Sequence, residues 1–139
     1  MGKEIIFKKI EQSEKLLEKL EQLLKLPFSQ FKNGSTTLRA AERNFQLIID
    51  IASDMNTQIL LDKGNQAPET YKQSFRDLAT LGIIDETLAN KLSQGAKLRN
   101  ILVHEYDFEE DEQKFYDSAK VIAPSYRIYL KTLFDYVSK

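Results

Sequence analysis

The sequence predicts an all-α fold, an up-and-down bundle of four to five helices built by residues 1–139 as one domain. Three observations predict it. Apolar residues recur at the three- and four-residue intervals of a helix over nearly the whole chain, while no segment shows the alternation of a strand. Pro27, Gly34, Gly64, Pro68 and Gly82 fall where the periodic stretches break, as helix starts and stops require. With 139 residues, 42% of them hydrophobic and 29% charged, the chain has enough apolar mass for a core without covalent staples.

Each element follows from the pattern. Residues 3–26 carry Ile6, Ile10, Leu17, Leu20 and Leu24 on one stripe, with Lys and Glu opposite, and Pro27 with Asn33-Gly34-Ser35 ends them. A second helix is predicted over 36–63, with Leu38, Ala41, Phe45, Ile48, Ile49, Ala52, Met55 and Ile59 inward and Gly64 as the stop. Pro68 suits the first turn of a short helix that ends at Gly82. Asp85 is positioned to cap the next helix, which carries Leu88, Leu92, Leu98 and Ile101. The acidic stretch 107–112 is a turn and restart. A last helix to Val137 turns Phe115, Ala119, Ile122, Tyr126, Leu130, Leu133 and Phe134 inward, with Pro124 expected to kink or divide it.

Composition narrows function. No apolar run reaches the roughly 18 residues a bilayer span needs, and the first residues lack the apolar stretch of a signal peptide, so a cytoplasmic protein is expected. The absence of cysteine excludes disulfides and thiolate metal ligands. A net charge of −1 argues against a broad nucleic-acid-binding face, so contact with RNA is expected to be local, and none is expected with DNA.

The chemistry concentrates in Arg99-Asn100-Ile101-Leu102-Val103-His104-Glu105-Tyr106. His104 is the only histidine in the chain, and imidazole is the side chain whose ordinary pKa lies near neutrality. Metal-independent RNA cleavage needs a base for the ribose 2′-OH, an acid for the leaving oxygen and positive charge for the phosphorane. His104 suits the first two tasks. Arg99, with a planar guanidinium that grips two phosphate oxygens, suits the third. Asn100, four residues before His104, shares its helical face and can orient the ring or a phosphate. Arg99 lies five residues before His104, about 140° around an ideal helix. The two converge on one phosphate only if the helix distorts or a second chain supplies one of them.

The pattern Arg-Asn-x-x-x-His-x-Tyr resembles the signature of HEPN domains, and more narrowly that of the HepT toxins. Residues 39–45, 50–52 and 55–56 are similar to the family's second helix, and residues 71–78 with 81–84 to its short connecting helix, so the likeness covers about residues 36–107. The resemblance implies a HEPN-like helical homodimer paired with an MNT-type nucleotidyltransferase antitoxin. The toxin of such a pair is a ribonuclease, silenced in at least some systems by AMP added to the motif tyrosine, here Tyr106. No cofactor and no metal is implied. One histidine per chain supplies half of an acid–base pair, and a two-fold dimer that sets two motifs face to face would supply both halves.

Other residues admit a structural and a functional reading. Arg99 can pair with Glu105 or Asp107. Arg39 and Arg43 form either an ion-pair ladder with Glu42 or a phosphate or partner contact. Asp50 and Asn56 suit buried hydrogen bonds. Gly95 within a helix suggests a close approach, with a dimer interface as one setting. The run 109–112 suits a solvated helix start or a docking face for a basic partner, and lacks the spacing of a metal site. The leading expectation is a HepT-like ribonuclease. The alternatives are a non-catalytic helical companion of a nucleotidyltransferase that binds nucleotide or substrate, and a plain dimerisation bundle.

Overall fold

The computed structural model describes residues 2–33, 35–105 and 108–139, with the side chains of 35, 105 and 108–111 outside that description. Tyr106 and Asp107 fall outside the described residues. Every described element is helical: α1 (Lys3–Leu24), α2 (Phe28–Asn33), α3 (Ser35–Asp62), α4 (Tyr71–Thr80), α5 (Glu86–Asn100), a π-helical segment (Ile101–Glu105) and α6 (Phe108–Ser138). No strand occurs among the described residues.

The three long helices form the core because each carries one apolar stripe too wide to leave in water. Helix α1 buries Ile6, Ile10, Leu17, Leu20 and Leu24 against α3 and α6. Helices α4 and α5 pack on each other and lie across α3 and α6, so the end of α5 reaches the polar flank of α3. Both tight turns use glycine in the left-handed region, where a Cβ is costly. Gly64 has φ +82° and Gly82 φ +77°. At the first turn the Asn65 N–H donates to the Leu60 carbonyl (2.9 Å), and at the second the Ile83 N–H donates to Leu78 (3.0 Å), each closing a helix C-terminus. Asp85 caps α5 as predicted, accepting from the Leu88 N–H at 2.7 Å.

Three expectations need correction, and a fourth, for Pro124, is narrowed. Helix α2 was not foreseen. It forms because the Pro27 carbonyl accepts from Gln30 and Phe31 N–H groups, and because Phe31 is wholly buried against the Tyr116 ring, 4.9 Å between centroids. Pro68 does not open α4; Thr70 does, its hydroxyl accepting from the Gln73 N–H at 3.0 Å. A side-chain cap satisfies a free amide, which proline only tolerates. Pro124 does not divide α6, which continues through it on an exposed face. Phe134 is not inward but 49% exposed, leaning on Phe7 at the rim.

Gly95 answers to a contact within the chain. A Cβ there would lie 2.6 Å from the Tyr126 hydroxyl oxygen and 2.7 Å from its ring. That hydroxyl donates to the Leu92 carbonyl at 2.7 Å, so glycine lets α5 and α6 close over a buried tyrosine. Tyr126, Tyr129 and Phe75 meet edge to face at centroid distances of 5.7–6.0 Å. Asn56, fully buried, donates to Ser74 Oγ (2.9 Å) and accepts from the Tyr129 hydroxyl. This polar knot fixes α4 on α3, and thereby Tyr71 beside the motif.

Candidate functional site

The motif occupies the last turn of α5 and the π-helical segment that follows. Such i→i+5 segments are rare and collect at functional sites. Here the consequence is geometric. An i→i+5 register spreads one turn over more residues, so residues four and five back both lie beneath a given side chain. The helix is distorted between Ile101 and Glu105, on the stretch that separates Arg99 from Glu105 and contains His104.

Arg99 is gripped by two other helices. Its Nε lies 3.2 Å from Asp50 Oδ1 of α3, and its guanidinium stacks 4.8 Å from the centroid of the Tyr71 ring on α4. The Tyr71 hydroxyl donates to the same Asp50 oxygen at 2.8 Å, closing a triangle of acid, phenol and guanidinium. Burial, then the hydrogen bond to Asp50, raises the Tyr71 pKa above its ordinary value, so the phenol remains a donor at neutral pH. The Arg99 N–H at Nε is buried without a hydrogen bond aligned to it; charge and stacking hold the group, not a two-pronged fork. Nη1 makes one long contact, 3.4 Å to Asn100 Oδ1, which leaves donor capacity at the outer edge for an anion.

Asn100 and His104 are exposed, and no hydrogen bond or ion pair joins His104 to another described residue. The structure thus gathers Arg99 and Asn100 directly and leaves the His104 imidazole exposed within the π segment. Arg39 stands apart from this group. It donates to Glu42 at 2.5 Å and lies 3.9 Å from Glu112 at the start of α6, while Arg43 faces solvent. The described ion pair of Arg99 is with Asp50 across helices; the pairing with Glu105 or Asp107 lies outside the described side chains. Asp50 was visible as a polar residue in an apolar helix, whereas nothing in the spacing marked Tyr71 as its partner.

Apolar side chains flank the motif. Val103 is 43% and Val121 is 73% exposed. Val121 lines a shallow hollow with Leu98, Ile101 and Ile122, whose remaining wall includes Lys97, Lys114 and Asp117. Among the described residues no three His, Asp or Glu side chains cluster as metal ligands would, and no helix is long and apolar enough to cross a membrane.

Comparison with known proteins follows the same lines. The family described as Ribonuclease HepT-like matches residues 13–133. The chain is 26% identical over 133 residues to the tRNA nuclease HepT of Aphanizomenon flos-aquae, covering 96% of this chain and 90% of that protein. It is 32% identical over 107 residues to the mRNA nuclease HepT of Shewanella oneidensis, covering 74% and 77% respectively. Its fold superposes on a tri-AMPylated HEPN toxin of Shewanella oneidensis solved in complex with an MNT antitoxin. The TM-score is 0.80 at 22% identity, over 94% of this chain and 97% of the other.

Proposed function

The chain belongs to the HepT-like ribonuclease family, and on that premise we propose that it is the toxin of a toxin–antitoxin module, cleaving RNA without metal at Arg99, Asn100 and His104. The observation that carries this reading is the Asp50–Tyr71 grip on Arg99 beside an unpaired, solvent-facing His104. A cation so held, with its outer edge free, is preorganised for charge that develops in a transition state.

The His104 imidazole takes the proton from the ribose 2′-OH as that oxygen attacks phosphorus. Arg99 neutralises the phosphorane oxygens, and Asn100 orients the phosphate. The 5′-oxygen leaves with a proton from a second imidazole, giving a 2′,3′-cyclic phosphate and a free 5′-hydroxyl. The second imidazole comes from a second copy of the chain. The exposed Val103 and Val121 beside the motif support an apolar contact between copies on this face, which would set the two motifs across a shared cleft.

The antitoxin is an MNT-type nucleotidyltransferase that silences this cytoplasmic toxin by adding AMP to Tyr106, two residues beyond His104. The tri-AMPylated state of the Shewanella toxin supports that mechanism. An adenylyl group there would put bulk and negative charge where RNA must enter. Arg43, exposed on α3, is available to the partner.

Three measurements test the reading. Expression of the chain alone arrests growth, and purified protein cleaves RNA in the presence of chelator. His104→Ala lowers the cleavage rate by about 10²–10⁴-fold and relieves the arrest, whereas Lys139→Ala does neither. Coexpression with the nucleotidyltransferase adds AMP mass to native protein and none to Tyr106→Phe. Chelator-sensitive cleavage, or full activity in His104→Ala, would overturn the reading.

A further inference from the structure

A groove of about 850 Å³ runs between α4 and α5 and ends at the motif, with Asn100 and Tyr71 in its wall. Four cations line it: Lys72 and Arg76 one turn apart on α4, Lys97 on α5 and Lys114 on α6. No carboxylate is among its described lining residues; the rest of the wall is mostly hydroxyl and amide side chains. In a chain whose charges sum to −1, this is a local concentration of one sign. Lys72 and Arg76 form a like-charge pair at i and i+4, which weakens an isolated helix by roughly 0.2–0.5 kcal/mol. None of the four makes an ion pair with a described residue, whereas Arg39, Arg99 and Arg127 each do.

We propose that this groove holds the phosphodiester backbone of RNA and leads it to the scissile phosphate at Asn100. The inference rests on the ribonuclease reading and extends it by giving the substrate a track. Unpaired cations on three helices suit a polyanion, because each bound phosphate releases condensed counterions. The hydroxyl and amide lining suits sugar and phosphate oxygens and offers little to an apolar protein face. The groove also supplies the local attraction that the near-neutral chain as a whole does not.

The test measures binding of a fluorescent single-stranded RNA by full-length chain carrying His104→Ala, across a salt series. Removing Lys72, Arg76 and Lys97 together as alanines is expected to weaken binding at least about tenfold and to reduce the slope of log K against log salt by about two units. Removing Lys8, Lys15 and Lys19 from α1 matches the charge change and is expected to leave both nearly unaltered. All six side chains are solvent-facing or nearly so, and unchanged helicity and Tm show that the variants fold. With His104 restored, the groove variant is expected to raise KM while kcat stays near native. Equal affinity and slope in the groove and α1 variants overturn the proposal. So does a groove variant that binds RNA normally but no longer binds an acidic partner protein. Neither result touches the ribonuclease reading, which stands or falls on cleavage by His104→Ala.

Discussion

At the scale of single residues, the position of the Arg99 guanidinium is set by two groups on other helices. Asp50 supplies charge at 3.2 Å, and Tyr71 supplies a ring face and a hydroxyl that orients the acid. If this triangle positions Arg99 for the transition state, Asp50→Asn lowers kcat by about tenfold, equivalent to ~1.4 kcal/mol, with KM nearly constant. Tyr71→Phe keeps the stacking and costs only a few-fold, and Tyr71→Ala loses both contacts and approaches the Asp50→Asn effect, since exposed cation–π contacts contribute about 0.5–1 kcal/mol. Single-turnover kinetics on folded protein check the order. A loss confined to Tm, with kcat per folded molecule unchanged, would assign Asp50 and Tyr71 to stability alone. The sequence showed Arg99, Asn100 and His104 because their types and spacing are local. The clamp joins residues 21 and 49 positions apart from Asp50, so only the packed helices disclose it.

At the scale of elements, three single-residue signals match the backbone, while Pro68 gives way to Thr70 at the start of α4. Gly64 and Gly82 end their helices at positive φ and Asp85 caps α5, each through a bond within a few residues. Helix α2 escaped because six residues carry too little periodicity, and distant contacts of Phe28 and Phe31 with Phe115 and Tyr116 stabilise it. Phe134 escaped because its spacing matches the buried stripe while its turn of α6 lies at the rim. The π segment escaped because no residue type encodes it. Gly95 belongs here too, since its role is to let two helices approach. Gly95→Ala gains about 1 kcal/mol of helix propensity but forces Tyr126 to move, an overpacking cost of about 1–3 kcal/mol. A net loss of about 1 kcal/mol is expected in urea unfolding. In a Tyr126→Leu background the same substitution becomes neutral or stabilising. Equal costs in both backgrounds would show that Tyr126 is not the obstacle.

At the scale of the whole molecule, the proposed reaction moves two protons and the chain carries one histidine. Residue composition alone raises this problem, and the dimer proposed above, through the exposed Val103 and Val121, is one answer to it. Mixing inactive chains tests the arrangement. Chains with only Arg99→Ala and chains with only His104→Ala pair at random after unfolding and refolding together. Half of the dimers are then mixed, and each mixed dimer has one pocket with a native guanidinium and the imidazole of the other chain. If each pocket draws its cation from one copy and its essential base from the other, activity returns to about a quarter of native. If both imidazoles must act in the same pocket, mixed dimers stay inactive, whereas mixtures of native and His104→Ala chains lose activity as the square of the native fraction. If each chain works alone, the first mixture stays dead and the second declines only linearly. Sedimentation run alongside confirms that the chains pair. The linear result would confine catalysis to one copy, leaving water or another group of the same chain to protonate the leaving oxygen.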